Sequence, residues 1–247
     1  MIKYDIRHRY SRRVLCSAKI DCDESAPIGV KKGLAVRRAL ENDDDLSDAD
    51  LSYADLNNTD LRGINFSGVN LSNAYLSNSD LRGVNFSGAN LSNANFGDAD
   101  LMLANLSKTD LTDTNLRAAN LKGVNAILAN LSNAQLMCGD LSDANFKGAD
   151  FRGADLRCVR LERCYIRGAK GIKAYTTFGP IGMHQRYGHV ILNDDFDPIV
   201  YLECHAGTPK ETYRAIKRKY GKKSTYAAVV RAVVNELIER NPKPENV

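Results

Sequence analysis

A large apolar residue recurs every five positions from Leu46 to Ile166. Of the 25 positions in this register, 24 are Leu, Phe or Ile, and the exception is Ala126. A period of five matches neither the 3.6 residues of a helical turn nor the two-residue alternation of a strand. The middle of the chain must therefore adopt a fold whose backbone repeats its path every five residues.

The residues around each apolar centre predict a short extended segment followed by a turn. The residue two positions before the centre is small or β-branched, as at Ala49 and Val69, and should point the same way as the centre by strand alternation. Asp or Asn usually lies between them. The second residue after the centre is Gly, Asn or Asp in 17 of 25 repeats, and these residue types tolerate positive φ. The chain should therefore turn there in each repeat.

A second period predicts the size of the coil that these turns produce. Residues 61–74 match residues 81–94 at 12 of 14 positions, an offset of 20 residues or four repeats. A four-sided coil follows, with an asparagine ladder along one side that contains Asn65, Asn85, Asn105, Asn125 and Asn145. Cys138 and Cys158 should stack in adjacent coils, with Cα atoms about 4.8 Å apart.

The repeat closely resembles the pentapeptide-repeat family, whose pattern is A(N/D)LXX. The resemblance implies a mainly β protein, a right-handed quadrilateral β-helix of about six coils over residues 44–170. Small α+β caps are expected at residues 1–43 and 171–247. The segments 21–26, 30–36 and 178–182 resemble flanking parts of bacteriophage and prophage members of this family.

The flanking regions carry signals for strands and helices. Before the repeat we predict strands at 2–9 and 14–20 and a helix from Pro27 to about Leu40, with an apolar side that contains Ile28, Leu34, Ala35 and Leu40. After it we predict strands at 188–192 and 199–204. A helix should begin at Thr208, whose capping box includes Pro209 and Glu211, and end at Gly221. A final helix should run from about Ser224 to Arg240.

Charge and cysteine content point to an intracellular binding protein. Residues 1–42 and 171–247 are net basic, +5 and +4, while residues 43–170 carry 12 basic and 17 acidic residues, net −5. The N-terminus lacks the apolar stretch of a signal peptide, so we expect a cytoplasmic location, no membrane partner and free thiols. We expect no metal or other cofactor. The alternative, a zinc cluster of C-terminal side chains, would use His184, His189, Cys204 and His205.

The repeat favours a non-enzymatic, macromolecule-binding protein. It contains no His, its carboxylates are regularly spaced on the outside, and Leu and Phe fill the interior where a substrate would have to enter. The phage resemblance suggests an accessory or anti-host-defence protein that binds and inhibits a host protein. We expect no direct binding to nucleic acid. We expect a homodimer that pairs through the C-terminal module.

Two surfaces compete as the binding site. The first is an apolar departure from the repeat, expected to cluster near one edge, and consists of Met102, Leu103, Ile127 and Leu128. Alternatively, Ile127 or Leu128 tucks inward to fill the space at Ala126. The second is an acidic ridge that contains Asp60, Asp80, Asp100 and Asp140. Family members that confer quinolone resistance imitate DNA and bind DNA gyrase. Six coils at about 4.8 Å each make a rod about 30 Å long. A DNA mimic of that length needs about 18 negative charges, whereas residues 43–146 have a net charge of −9.

Overall fold

The computed structural model describes residues 1–172, 174–181, 186–193, 198–202, 205–212, 214 and 225–241. Its helices and longer strands lie on either side of the repeat. In chain order they are β1 (Ile2–Arg7), β2 (Val14–Ile20), α1 (Ile28–Glu41), β3 (Ala174–Ile181), β4 (Arg186–Leu192), β5 (Pro198–Leu202), β6 (His205–Gly207) and α2 (Thr225–Arg240).

Residues of the repeat pair with residues 20 positions further along the chain. Parallel bridges join Asp50 to Asn70, and the series continues at every fifth residue to the bridge between Asp150 and Lys170. Each bridge is isolated, so the sides of the coil do not grow into longer strands. Four such bridges per 20 residues confirm the predicted four-repeat coil. Its right-handed sense stays a prediction from the family resemblance.

The second residue after each centre has positive φ in all 25 repeats. Eight of these residues are Gly, from Gly63 to Gly168, and their φ angles lie between 64° and 74°. The predicted turn is confirmed, but the left-handed backbone is also imposed on side chains that do not favour it. These less suited residues are Tyr53, Leu103, Lys108, Ala118, Leu128, Cys138, Cys158 and Arg163.

The centres form one continuous core. Every centre from Leu46 to Leu161 is buried, and only the final one, Ile166, is partly buried. Phe66 and Phe86 stack in adjacent coils with ring centroids 5.7 Å apart. Ala126 is buried like the larger centres. Stacked coils therefore bury each other's apolar rings, as in other repeat proteins.

The N-terminal elements pack directly on the first coil. The backbone N–H of Asp50 donates to Arg7 O at 2.7 Å, and that of Asp55 donates to Gly29 O at 3.0 Å. Helix α1 buries its Gly33, Ala35, Val36 and Ala39 side. The predicted apolar side was wrong at Ile28, which is 54% exposed. The reason is close approach, because only small residues fit where the helix crosses the coil.

The C-terminal elements form a four-stranded antiparallel sheet in the order β3-β4-β5-β6, with α2 against β3, β4 and β5. Ile172 and Ile191 join the core cluster of the coil. The capping box is confirmed, because Glu211 accepts from the Thr208 N–H at 2.9 Å and Thr208 Oγ1 accepts from the Glu211 N–H at 3.3 Å. The predicted end at Gly221 lies outside the described residues.

The sequence analysis did not predict strands β3 and β6. Strand β3 contains Gly179 and Pro180, which favour a turn, but it is an edge strand, where a missing N–H is tolerated. Its register shifts between Phe178 and Ile181, beside that pair. The predicted strand 199–204 is β5 followed by β6, with residues 203 and 204 outside the described part. No described helix is long and apolar enough to span a membrane.

Candidate interaction surfaces of the coil

The Asp or Asn before each centre has a structural task. Its side-chain oxygen accepts a hydrogen bond from the backbone N–H two residues later, as in the bonds from Arg62 to Asp60 at 3.2 Å and from Ser142 to Asp140 at 2.9 Å. The same bond recurs at Asn65, Asn85 and Asn105. These side chains therefore hold the turns, whichever charge they carry.

The four predicted acidic residues do lie along one side, which we call the Asp60 face, but their charge is neutralised there. Arg62 bonds Asp60 through two nitrogens at 2.9 and 2.6 Å and also lies 3.5 Å from Asp80. Arg82 makes the same bidentate hydrogen bonds to Asp80, and its guanidinium lies 3.7 Å from the Asp100 carboxylate. Acid and base thus alternate along the face.

Cations also accompany the far end of the Asp60 face. Arg160 lies 3.6 Å from Asp140, and the positive charge of Lys122 also acts on that carboxylate. Together with Arg62 and Arg82, these residues place cations along both ends of the Asp60 face. The hydrogen bond from Arg62 lowers the pKa of Asp60 to about 2, and that from Arg82 lowers the pKa of Asp80. Asp60 and Asp80 are therefore ionised at neutral pH, and the cations offset most of the negative charge of the face.

The next side, the Asn65 face, is uncharged over four coils. Asn85 Nδ2 donates to Asn65 Oδ1 at 2.9 Å, Asn105 to Asn85 at 3.0 Å, and Asn125 to Asn105 at 3.3 Å. The predicted asparagine ladder is confirmed for these four residues. Because each amide is donor and acceptor at once, the face is ordered and polar without charge.

The apolar departures lie on the two edges that bound the Asn65 face. Met102 and Leu103 form the turn that precedes this face in one coil. Ile127 and Leu128 form the turn that follows it in the next coil. Leu103 is 66% exposed and Leu128 is 57% exposed, while Met102 and Ile127 are half-buried. Three extended residues separate the edges, a width of about 10 Å.

Each exposed leucine lies over a glycine of the following coil. A Cβ at Gly123 would come within 2.9 Å of Leu103 Cδ2, and one at Gly148 within 2.8 Å of Leu128 Cδ2. The leucines themselves have φ of 61° and 58°. Left-handed backbone costs a residue with a Cβ about 1 kcal/mol. The two edges thus combine exposed apolar area with local strain.

Sequence reasoning missed a charged cleft at the N-terminal end. The cleft has a volume of about 470 Å³ and is lined by Lys3, Tyr4, Asp5, Arg7, Arg12, Ile28, Lys32 and Asp50. Burial lowers the pKa of Lys32, although the Asp50 carboxylate 3.6 Å away opposes this effect. The net charge of +5 at residues 1–42 was the available signal, but it did not indicate which residues meet.

The C-terminal histidines and cysteine can be placed only in part. His189 lies in β4 and His205 in β6, while His184 and Cys204 lie outside the described residues. Across the described part of the chain, no group of three His, Cys, Asp or Glu residues could hold a metal ion. The expectation of a metal-free fold stays a prediction.

A coil of five-residue units, stacked every 20 residues around an apolar core, defines a solenoid repeat protein. Eight copies of the family model "Pentapeptide repeats" match residues 45–83, 70–107, 79–117, 104–137, 114–153 and 134–170. These ranges cover about half of the 247 residues, and the chain belongs to the pentapeptide-repeat family. No curated protein sequence matches it.

Several solved pentapeptide-repeat structures are similar to this chain. HetL, involved in heterocyst differentiation regulation in the cyanobacterium Nostoc, is 29% identical over 51% of this chain and 82% of its own, with a TM-score of 0.32. A protein of the Arabidopsis thaliana thylakoid lumen is 31% identical over 52% and 72%, with a TM-score of 0.24. QnrB1, a plasmid-mediated fluoroquinolone resistance protein, is 19% identical over 49% and 71%, with a TM-score of 0.26.

Proposed function

We propose that this protein is a non-enzymatic scaffold that binds another protein through the Asn65 face and its two apolar edges. The observation that carries the proposal is the pair of leucines, Leu103 and Leu128. Both are exposed and both occupy left-handed turn positions that the other repeats mostly give to Gly, Asn or Asp. Neither property stabilises the coil.

The combined surface has the composition of a protein interface. Its centre is a neutral, hydrogen-bonded amide ladder, which a partner can cover without burying an unpaired charge. Its edges offer the apolar area of Leu103 and Leu128, with the half-buried Met102 and Ile127 beside them. Exposed apolar side chains grouped around a polar surface often mark such interfaces. The finer proposal is a phage-type accessory protein that inhibits a host protein or defence system.

The alternative function is DNA mimicry on the Asp60 face, directed at an enzyme such as DNA gyrase. A mimic requires uncompensated negative charge, because duplex DNA carries about one charge per 1.7 Å of axis. Arg62 and Arg82 offset most of the charge of Asp60, Asp80 and Asp100. We therefore favour the apolar edges.

The two functions separate in a binding experiment with the tagged full-length protein and host lysate. Leu103→Glu with Leu128→Glu should weaken retention of the partner about 30-fold or more, since an apolar hot spot is worth about 2 kcal/mol. Asn93→Glu with Ala118→Glu places the same charges at exposed turns on the opposite edges and should leave retention unchanged.

Charge reversal on the Asp60 face and raised salt test the alternative, DNA mimicry. If Asp80→Lys and Asp100→Lys abolish retention while the leucine variants do not, and if raised salt releases the partner, mimicry is correct and our proposal is wrong.

A further inference from the structure

Two cysteines occupy equivalent positions in successive coils. Cys138 and Cys158 are each the second residue after a centre, and their φ angles are 62° and 58°. The Cys138 N–H donates to Arg157 O at 2.9 Å, and parallel bridges on either side join Gln135 to Asp155 and Asp140 to Arg160. The two residues therefore stack directly, as their spacing predicted.

This stacking matches the reach of a disulfide. Paired coils lie about 4.8 Å apart, and disulfides form at Cα separations of about 4.4–6.8 Å. Because both residues share one backbone conformation in one register, their Cα–Cβ bonds run in the same direction. Their Cβ atoms therefore also lie about 4.8 Å apart and must approach by about 1 Å to reach the usual separation in a disulfide, a shift that surface turn residues can make.

One member of the pair is accessible, whereas Cys16 and Cys164 are protected. Cys138 is exposed and Cys158 is half-buried. By contrast, the Cys164 thiol donates to Leu141 O at 2.7 Å, and burial raises its pKa to about 12. Burial also raises the pKa of Cys16 to about 11. A small oxidant should therefore reach the exposed Cys138 before Cys16 and Cys164, whose raised pKa values also keep them as unreactive thiols.

We propose that Cys138 and Cys158 form a reversible redox modification site, a disulfide that links two successive coils. The oxidant is a low-molecular-weight disulfide such as oxidised glutathione. The Cys138 thiolate attacks it, giving a mixed disulfide and releasing one small thiol. The Cys158 thiolate then attacks the Cys138 sulfur and releases the second small thiol. Two protein S–H groups become one S–S bond, and their protons leave on the two small thiols.

Mass spectrometry of the oxidised protein tests this assignment. The folded full-length chain is treated with oxidised glutathione and digested with trypsin without reduction. Residues 123–147 and 158–160 should appear as one cross-linked peptide that is two hydrogens lighter than its parts, and reduction should separate them. Cys158→Ser should leave Cys138 carrying glutathione, while Cys164→Ser should not change the cross-link.

An engineered pair supplies the matched control. Asn73 and Asn93 stack at another edge with φ of 59° each, so Asn73→Cys with Asn93→Cys in a Cys138→Ser chain should cross-link under the same conditions. The assignment is overturned if wild-type Cys138 carries only glutathione, pairs with another cysteine or joins a second chain. If the engineered pair cross-links and the natural pair does not, the geometry is adequate and the natural site is not redox-active.

Discussion

The Leu103 side chain lies over Gly123 of the next coil, so closely that a Cβ there would be 2.9 Å from Leu103 Cδ2. Gly83 has the same turn position, with φ of 66° against 67° for Gly123, and has open space around its Cα. Gly83 shares the backbone of Gly123 but lacks the leucine contact, which makes the two glycines a matched pair for substitution.

We expect Gly83→Ala and Gly123→Ala to lower the free energy of unfolding by similar amounts, about 1 kcal/mol each, because both force alanine into left-handed backbone. The end of the Leu103 side chain can rotate away, so the close contact should add little to the loss of stability. Partner binding should weaken in Gly123→Ala only. Denaturant titration and the binding assay check both points, and equal binding by the two variants would contradict a role for Leu103.

Acid should destabilise the coil through its Asp–Arg pairs. The folded pKa of Asp60 is about 2, below its ordinary 3.8. A lowered folded pKa means that the stabilisation is fully present above about pH 4 and is lost as the pH falls towards 2. The pKa values of Asp80 and Asp155 are lowered in the same direction by hydrogen bonds from Arg82 and Arg157.

The denaturation midpoint should therefore fall between pH 4 and pH 2. Arg62→Gln with Arg82→Gln should make that fall shallower, because the aspartates then return towards their ordinary pKa values. Lys108→Gln removes a charge from an exposed turn and is the control. An unchanged pH profile in the double arginine variant would show that these pairs do not stabilise the fold.

The N-terminal helix should protect the first coil from aggregation. A Cβ at Gly33 would lie 2.0 Å from the backbone O of Asp55, so Gly33→Val must push α1 away from the coil. The displaced helix would expose the first apolar centres, Leu46 and Leu51, and nearby backbone hydrogen-bonding groups. We expect aggregation on gentle heating, visible by light scattering.

A chain that lacks residues 1–42 should aggregate even without heating. Arg38→Ala alters the exposed side of the same helix and should remain monodisperse. A deleted chain that stays soluble, monomeric and unchanged in melting temperature would show that these residues do not cap the coil.

Most of the coil could be predicted from the sequence, because one five-residue pattern indicates both which residue is buried and where the chain turns. Residues 61–74 and 81–94 even gave the coil length, since stacking places similar residues over each other. The edge strand β3 could not be predicted in this way. Its Gly179–Pro180 pair favours a turn locally, and only pairing with β4 makes it a strand.

The candidate surfaces were predictable in composition but not in arrangement. Sequence spacing placed Asp60 beside Arg62, yet the extent of charge neutralisation depends on how each guanidinium spans two coils. In the same way, the departures at Leu103 and Leu128 were visible as exceptions to the repeat. The prediction that they cluster near one edge was wrong, because the two pairs lie on the two edges of one face.

The most direct test replaces both exposed leucines by the residue that the other turns favour. Leu103→Asn with Leu128→Asn removes the apolar edges and suits the left-handed backbone better, as at Asn73 and Asn93. We predict that the free energy of unfolding rises by about 0.5–1 kcal/mol per substitution while partner binding falls at least 30-fold. Lower stability together with unchanged binding would contradict the account, because the leucines would then serve the fold and not a partner.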